Sequence, residues 1–382
     1  MEKHSLRELI GSKKALLHGR TASIINNNKV GEDVKDGSVV LFWTGSALEF
    51  NVTGSLFNIE LYSDYDVYEQ WISVYVNGAF IQRLMLPKGN HVVECYRNMN
   101  PENVKNVRIV KEVQAMSDDK SALLLGVSAE TDGEFEDISE RDLKLEFIGD
   151  SITSGEGCVG AKPELDWISM FFGASFSYSF MTAKALNADY RVFSQSGWGL
   201  LCGWDGNPYH SLTEHYTKVC SLLSGDKQKA CGSANENDSE SWQPDAVILN
   251  LGTNDYSAFT GPEWKGEDGE TFNLKLNEDG SFEKNSKALW ISAADRFIRI
   301  IREKNPKARI IWVFGMLGNG LVPLIQETLD NYTKATGDNN VSLVLVPDTN
   351  DETVGSRMHP GVKEHEIAAD LVIKEIRKFV TK

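Results

Sequence analysis

The sequence predicts two folded parts in series: an all-β, jelly-roll-like β-sandwich over residues 1–140, then an α/β unit with a doubly wound parallel sheet over 141–382. Three observations predict it. Up to about residue 140, short runs rich in Val, Ile, Phe and Tyr are separated by Gly, Asn and Asp at close spacing, the pattern of an antiparallel sandwich. Beyond residue 143, apolar strands alternate with helix-length amphipathic segments, which requires a parallel sheet covered on both faces. The length, 382 residues, is enough for two or three domains at roughly 150 residues each.

In chain order, strands are predicted over 38–43 (SVVLFW), 47–53, 56–62, 70–76, 80–86, 91–97, 104–110 and 122–128. Asn77-Gly78 suits a tight hairpin turn, because both positions tolerate positive φ. The acidic stretch 130–142 (ETDGEFEDISERD) connects the two parts. Strands follow over 143–148, 190–193, 246–251 (AVILNL), 308–314 and 341–346, with helices over 175–186, 209–223, 286–304, 321–336 and 361–379. The 286–304 helix is carried by Leu289, Ile291, Ala294, Phe297, Ile298 and Ile301 at helical spacing. Residues 261–287 are polar and Gly-rich, an insertion with a small hairpin of 271–276 against 281–283.

Composition narrows the function. The charge sum is 39 basic against 55 acidic side chains, a net −16, which argues against a nucleic-acid surface and against adhesion to anionic lipid. No apolar run reaches the ~20 residues of a membrane helix. The start, Met1 to Glu8, lacks a basic segment followed by an apolar one, so the expected location is cytoplasmic. The five cysteines (Cys95, Cys158, Cys202, Cys220, Cys231) are odd in number and widely spaced, which suits reduced thiols. No Cys/His spacing suits a metal, and neither metal nor cofactor is expected. His210 and His215, at i and i+5 in the predicted 209–223 helix, do not share one face.

In a doubly wound sheet the ligand crevice lies beyond the carboxyl ends of the strands. Four segments fall there: Gly149-Asp150-Ser151, Ser194–Gly199 (SQSGWG), Gly252-Thr253-Asn254-Asp255 and Met358-His359-Pro360. Singly, each has a structural explanation as a turn, a helix cap or a helix start. Together they supply a chemistry. A serine hydroxyl needs a base to become a nucleophile, and His359 is the histidine at a strand-to-helix junction of this sheet. Acyl transfer also needs N–H donors for the developing oxyanion. The amides of Ser151 and Gly197 and the side chain of Asn254 are the candidates, and Asp150 and Asp255 are expected to brace their turns.

These four blocks resemble those of the SGNH (GDSL-type) hydrolases. The resemblance covers about 143–382 and implies a flavodoxin-like sheet, Ser151 as nucleophile, His359 as base, and Ser151, Gly197 and Asn254 as oxyanion donors. A preceding β-sandwich with the segment Phe42-Trp43-Thr44-Gly45-Ser46 is similar to carbohydrate esterase family 2, which implies removal of acetyl groups from hemicellulose-derived oligo- or polysaccharides. One position departs from the pattern. The aspartate usual three residues before the histidine is Ser356 here. A Ser–His dyad is therefore expected, with a main-chain carbonyl just before His359 holding its Nδ1–H, and Asp351 as the fallback acid.

Aromatic residues crowd the same loops: Trp167, Phe171, Phe172, Trp198, Trp204, Tyr209, Tyr256 and Phe259. Trp198, Trp204 and Tyr256 are candidate platforms for sugar faces, and Asp205 a candidate partner for a sugar hydroxyl. Two other readings compete: a lipid esterase or thioesterase of the same superfamily, and a carbohydrate-binding protein with a relict site.

Overall fold

A computed structural model of the chain describes residues 2–21 and 35–380. Two antiparallel sheets form the sandwich. One runs in the order Glu2–Ser5, Leu123–Thr131, Phe57–Asp64, Gly89–Tyr96, with Val39–Val40 also paired to Leu123–Thr131. The other runs Phe135–Glu136, Ala47–Val52, Lys105–Lys111, Gln70–Val76, Ala79–Leu86, with Ala15–His18 also on Ala47–Val52. Alternate residues of the facing strands, among them Leu48, Phe50, Phe57, Ile59, Val107 and Ile109, close the space between the sheets. The Asn77-Gly78 turn has positive φ at both residues, as the hairpin requires.

The second half is a five-stranded parallel sheet in the order Asp189–Ser194, Lys144–Gly149, Ala246–Asn250, Arg309–Met316, Val341–Asp348. That order is the 2-1-3-4-5 winding of flavodoxin-like sheets. Helices Tyr178–Ala185 and Val362–Ile376 pack on one face through Tyr178, Ala183, Ala368, Ala369 and Val372. Helices Lys284–Lys304 and Val322–Thr336 pack on the other through Trp290, Ala294, Phe297, Leu324 and Ile325. Among the described residues no helix is long and apolar enough to cross a membrane. All five cysteines are free.

Several expectations are corrected. Only Val39–Val40 of the 38–43 run pairs as a strand, because Phe42 and Trp43 turn into a core shared with the α/β part. The Trp43 indole donates to Val219 O at 2.7 Å, and its ring lies 4.6 Å from that of Phe193. The predicted 209–223 helix is only a 3-10 turn, Leu212–His215. Its apolar residues from Leu212 onward are buried, but the backbone is diverted to Gly199, which exchanges bonds with His210 O and Leu212 N. The hairpin expected of 271–276 and 281–283 shrinks to one bridge, Leu276 to Phe282, and a short pair Trp264–Lys265 and Thr271–Phe272 precedes it. The acidic 130–142 stretch is not all linker: its first two residues end a strand and Phe135–Glu136 is another.

The two parts are further locked by buried charge. Arg20, 1% exposed, donates to Glu146 and lies between the rings of Phe193 and Tyr216. His18 bridges Glu49 of the sandwich and Asp189 of the parallel sheet at 2.8 and 2.6 Å.

Candidate active site

The loops at the carboxyl ends of the parallel strands, with two residues from the sandwich, enclose a cleft of about 550 Å³. That volume suits a small organic ligand or a few sugar units. Ser151, Gly197, Asn254 and His359 all line it, as do Trp198 and Trp204.

Ser151 opens the one-turn helix Ser151–Ser154 directly after the strand Lys144–Gly149. Asp150 caps that turn, its Oδ1 accepting the Ile152 N–H at 3.0 Å. Ser151 Oγ lies 3.0 Å from His359 Nε2. On the far side of the ring, Nδ1 lies 2.9 Å from the main-chain oxygen of Arg357. A carbonyl only accepts, so Nδ1 carries the proton and Nε2 presents its lone pair to the serine. Asp351 stands apart from this pair: it is exposed, and its main-chain oxygen takes the Lys162 ammonium. Ser356, where an aspartate is usual, donates to Val159 O at 2.8 Å and braces the loop.

The 355–359 loop holds a tight backbone. Arg357 and Met358 have φ of +57° and +56°, and Arg357 is pinned by its N–H on Glu164 O and its Nη1 on Leu165 O, each at 2.7 Å. Gly157 passes so close that a Cβ there would fall 2.5 Å from the Cβ of His359, so a side chain at that position displaces the base.

Opposite, Gly197 has a φ of +77°, and the amides of Ser151 and Gly197 donate to no other group among the described residues. Asn254 is committed at rest: its Nδ2 donates to Trp198 O at 2.8 Å and reaches Asp150 Oδ2 at 3.3 Å. Asp255 braces the same loop by accepting the Leu200 and Leu201 amides, each at 2.8 Å. Burial pushes Asp150 up to about 7 and Asp255 up to about 6.

Two candidates stand outside the cleft. Asp205 makes a turn, its Oδ1 accepting the Asn207 amide at 3.1 Å. Tyr256 packs its ring over Gly320 instead, since the helix Thr253–Thr260 turns it away from Asn254. Of the other aromatic residues, Phe171, Phe172 and Phe259 are core, and the exposed Tyr209 donates to Glu270. Trp204 is 63% exposed at the cleft rim, above Gly197. Trp198 stacks on His210 with ring centroids 4.9 Å apart. Among the described residues no cluster of three or more His, Cys, Asp or Glu is arranged to hold a metal.

Sequence reasoning missed several cleft residues. Tyr68 and Asp118 come from the sandwich, and Tyr68 meets Trp167 edge-on at 4.8 Å. Outside the cleft lining, Gln114 of the sandwich accepts the Ser196 amide at 2.7 Å, next to Gly197. Glu156, 1% exposed, places Oε1 at 3.8 Å from His359 Nε2 and at 2.9 Å from Arg357 Nε. Its other oxygen accepts from Ser196 Oγ. The one available signal was its position, in the loop that follows Ser151.

Comparison with known proteins agrees with this architecture. The model of the GDSL-like lipase/acylhydrolase family matches residues 147–344. An acetyl xylan esterase from the rumen bacterium Butyrivibrio proteoclasticus is 41% identical, with 99% of each chain covered and a TM-score of 0.92. A family two carbohydrate esterase from Clostridium thermocellum, solved in complex with cellohexaose, shares the fold at 23% identity and a TM-score of 0.76, covering 95% of this chain and 98% of that one. A cellulase/esterase of Acetivibrio thermocellus is 24% identical over 341 residues, 88% of this chain and 37% of that protein. The chain spans 37% to 61% of the length of the curated relatives it matches. By the family match and the 41% identical relative along its whole length, this chain belongs to the GDSL-like lipase/acylhydrolase family and, within it, resembles the family two carbohydrate esterases.

Proposed function

We propose that the protein is a serine esterase that removes O-acetyl groups from hemicellulose-derived saccharides. The observation that carries it is the pairing of Ser151 Oγ with His359 Nε2 at 3.0 Å while Nδ1 is held on a carbonyl. Ser151 Oγ attacks the acetyl carbonyl carbon as its proton passes to Nε2. The oxyanion meets the unengaged amides of Ser151 and Gly197. Asn254 joins them by exchanging its long contact to Asp150, at 3.3 Å, for the new charge. The C–O bond to the sugar breaks as His359 returns the proton to the leaving hydroxyl oxygen, which leaves an acetyl-enzyme. Water then repeats the steps, giving its proton to His359 and its oxygen to acetate, and Ser151 is restored.

Three features support acetyl-saccharides as the substrates. A structural relative 41% identical along its whole length is an acetyl xylan esterase. The cleft carries the exposed Trp204 and three further aromatic residues at its wall, Tyr68, Trp167 and Trp198, where sugar C–H groups pack. Its lining sets aromatic faces among polar side chains such as Asp118, Gln195 and Ser257, with Leu317 as the one aliphatic side chain among the described residues, which suits a hydroxyl-bearing ligand better than a long acyl chain. The test is acetate release from acetylated xylan and mannan oligosaccharides, alongside p-nitrophenyl esters of increasing acyl length. Acetate release that disappears in Ser151→Ala, with a steep preference for acetyl over longer acyl groups, is expected. Equal or better turnover of long-chain esters overturns the acetyl-saccharide reading.

A further inference from the structure

Glu156 is a buried carboxylate that the chemistry above leaves unused. It touches three residues on two separate loops at once. Oε1 is 2.9 Å from Arg357 Nε and 3.8 Å from His359 Nε2, and the other oxygen accepts from Ser196 Oγ, next to Gly197. Among the described residues no other carboxylate makes an ion-pair contact with the His359 ring.

The electrostatics give that placement a consequence. Both half-reactions pass through a protonated His359, and in a triad an aspartate on Nδ1 stabilises that cation. Here Nδ1 meets a neutral carbonyl, which fixes the tautomer but supplies no charge. A carboxylate close to the ring and itself shielded from solvent supplies it from the other side. Arg357, paired to the same oxygen, offsets part of the negative charge. The 3.8 Å spacing leaves the Nε2 lone pair to Ser151. The bond from Ser196 fixes the carboxylate's orientation and ties the oxyanion loop to the histidine loop through one side chain.

We propose that Glu156 is the positioning residue that takes over the missing aspartate's electrostatic task, stabilising protonated His359 across the cleft and coupling the base to the oxyanion loop. This rests on the Ser–His reading of the site. Other charged or titratable groups also face the pair. Asp150 lies behind Ser151 within reach of the charge on Glu156, Asp118 and His210 line the cleft, and Arg357 sits on the histidine loop. His365, on the last helix, is buried and held down to about 3, so it stays neutral.

The experiment compares the full chain with Glu156→Gln and Arg357→Gln. It records kcat/KM for p-nitrophenyl acetate against pH, and the pH dependence of serine labelling by a fluorophosphonate. Removing the carboxylate makes the base weaker, so in Glu156→Gln the acidic limb moves toward lower pH by about one unit, with kcat/KM at neutral pH down roughly tenfold to a hundredfold. Removing the offsetting cation moves the limb the other way in Arg357→Gln. A side chain that merely holds loops together changes rates without shifts of opposite sign. Acidic limbs superimposed on that of the unmodified chain overturn the proposal, and Arg357→Gln alone decides it if Glu156→Gln fails to fold. Failure of the fluorophosphonate to label Ser151 in the unmodified chain overturns the Ser–His reading instead.

Discussion

The loop carrying Gly197 and the loop carrying His359 face each other across Ser151, and they are held by different means. Around Gly197, side chains from elsewhere accept main-chain amides: Gln114 takes Ser196, and Asp255 takes Leu200 and Leu201. Around His359 the roles reverse. There the main chain supplies the acceptor, Arg357 O, and the Arg357 side chain reaches outward to Leu165 O and Glu156 to hold that backbone in a left-handed turn. An oxyanion hole needs amides aimed at one point, so the acceptors that fix neighbouring amides must be rigid. A base needs one acceptor at Nδ1, and a main-chain oxygen meets that need when its turn is pinned. An acid three residues before the histidine is then dispensable for orientation.

The contrast breaks first at Asp255. Asp255→Ala leaves the Leu200 and Leu201 amides without their acceptor, a loss of roughly 2–6 kcal/mol at about 1–3 kcal/mol for each orphaned group. Urea denaturation reads this as a lower midpoint, with residual esterase activity reduced in the folded fraction. An unchanged midpoint and rate contradict the claim that side-chain acceptors hold the oxyanion loop.

A smaller effect is expected at Trp204, whose exposed indole holds little of the fold. Trp204→Ala should weaken turnover of acetylated oligosaccharides by about tenfold, the scale of a lost aromatic contact, and leave p-nitrophenyl acetate nearly untouched. Equal loss on both substrates removes Trp204 from substrate binding and makes its indole, which lies against Gly197, a support for that loop. The smallest effect belongs to Asp351. Asp351→Asn should alter kcat/KM by less than about twofold, the usual range of a surface substitution. A folded but inactive variant means that a side-chain acid orients His359 after all.

What the sequence revealed follows from how local each feature is. The parallel strands were legible because burial on both faces writes an apolar run, as in Ala246–Asn250, where all five residues are buried. The crevice rule then located Ser151, Gly197, Asn254 and His359 without any contact being known. The 38–43 run misled because its apolar residues fill a core between the two parts instead of extending a ladder. The 209–223 stretch misled for a related reason: its buried residues mimic helical spacing while their backbone pairs with the oxyanion loop. Asp205 and Tyr256 sit beside site residues in sequence, yet their side chains leave the cleft. Glu156 and Gln114 were invisible because their partners, Arg357 and Ser196, lie 201 and 82 residues away and meet them only in the folded chain.

The central claim is that Ser151 and His359 form a working pair without a side-chain acid. Rapid acid quenching of the full chain during turnover of an activated acetyl ester, followed by peptide mass analysis, tests it most directly. One acetyl group on the peptide holding Ser151 is expected, with no such adduct in Ser151→Ala and normal accumulation in Asp351→Asn. Turnover with no acetylated Ser151 peptide, together with retained activity in Ser151→Ala, contradicts the account.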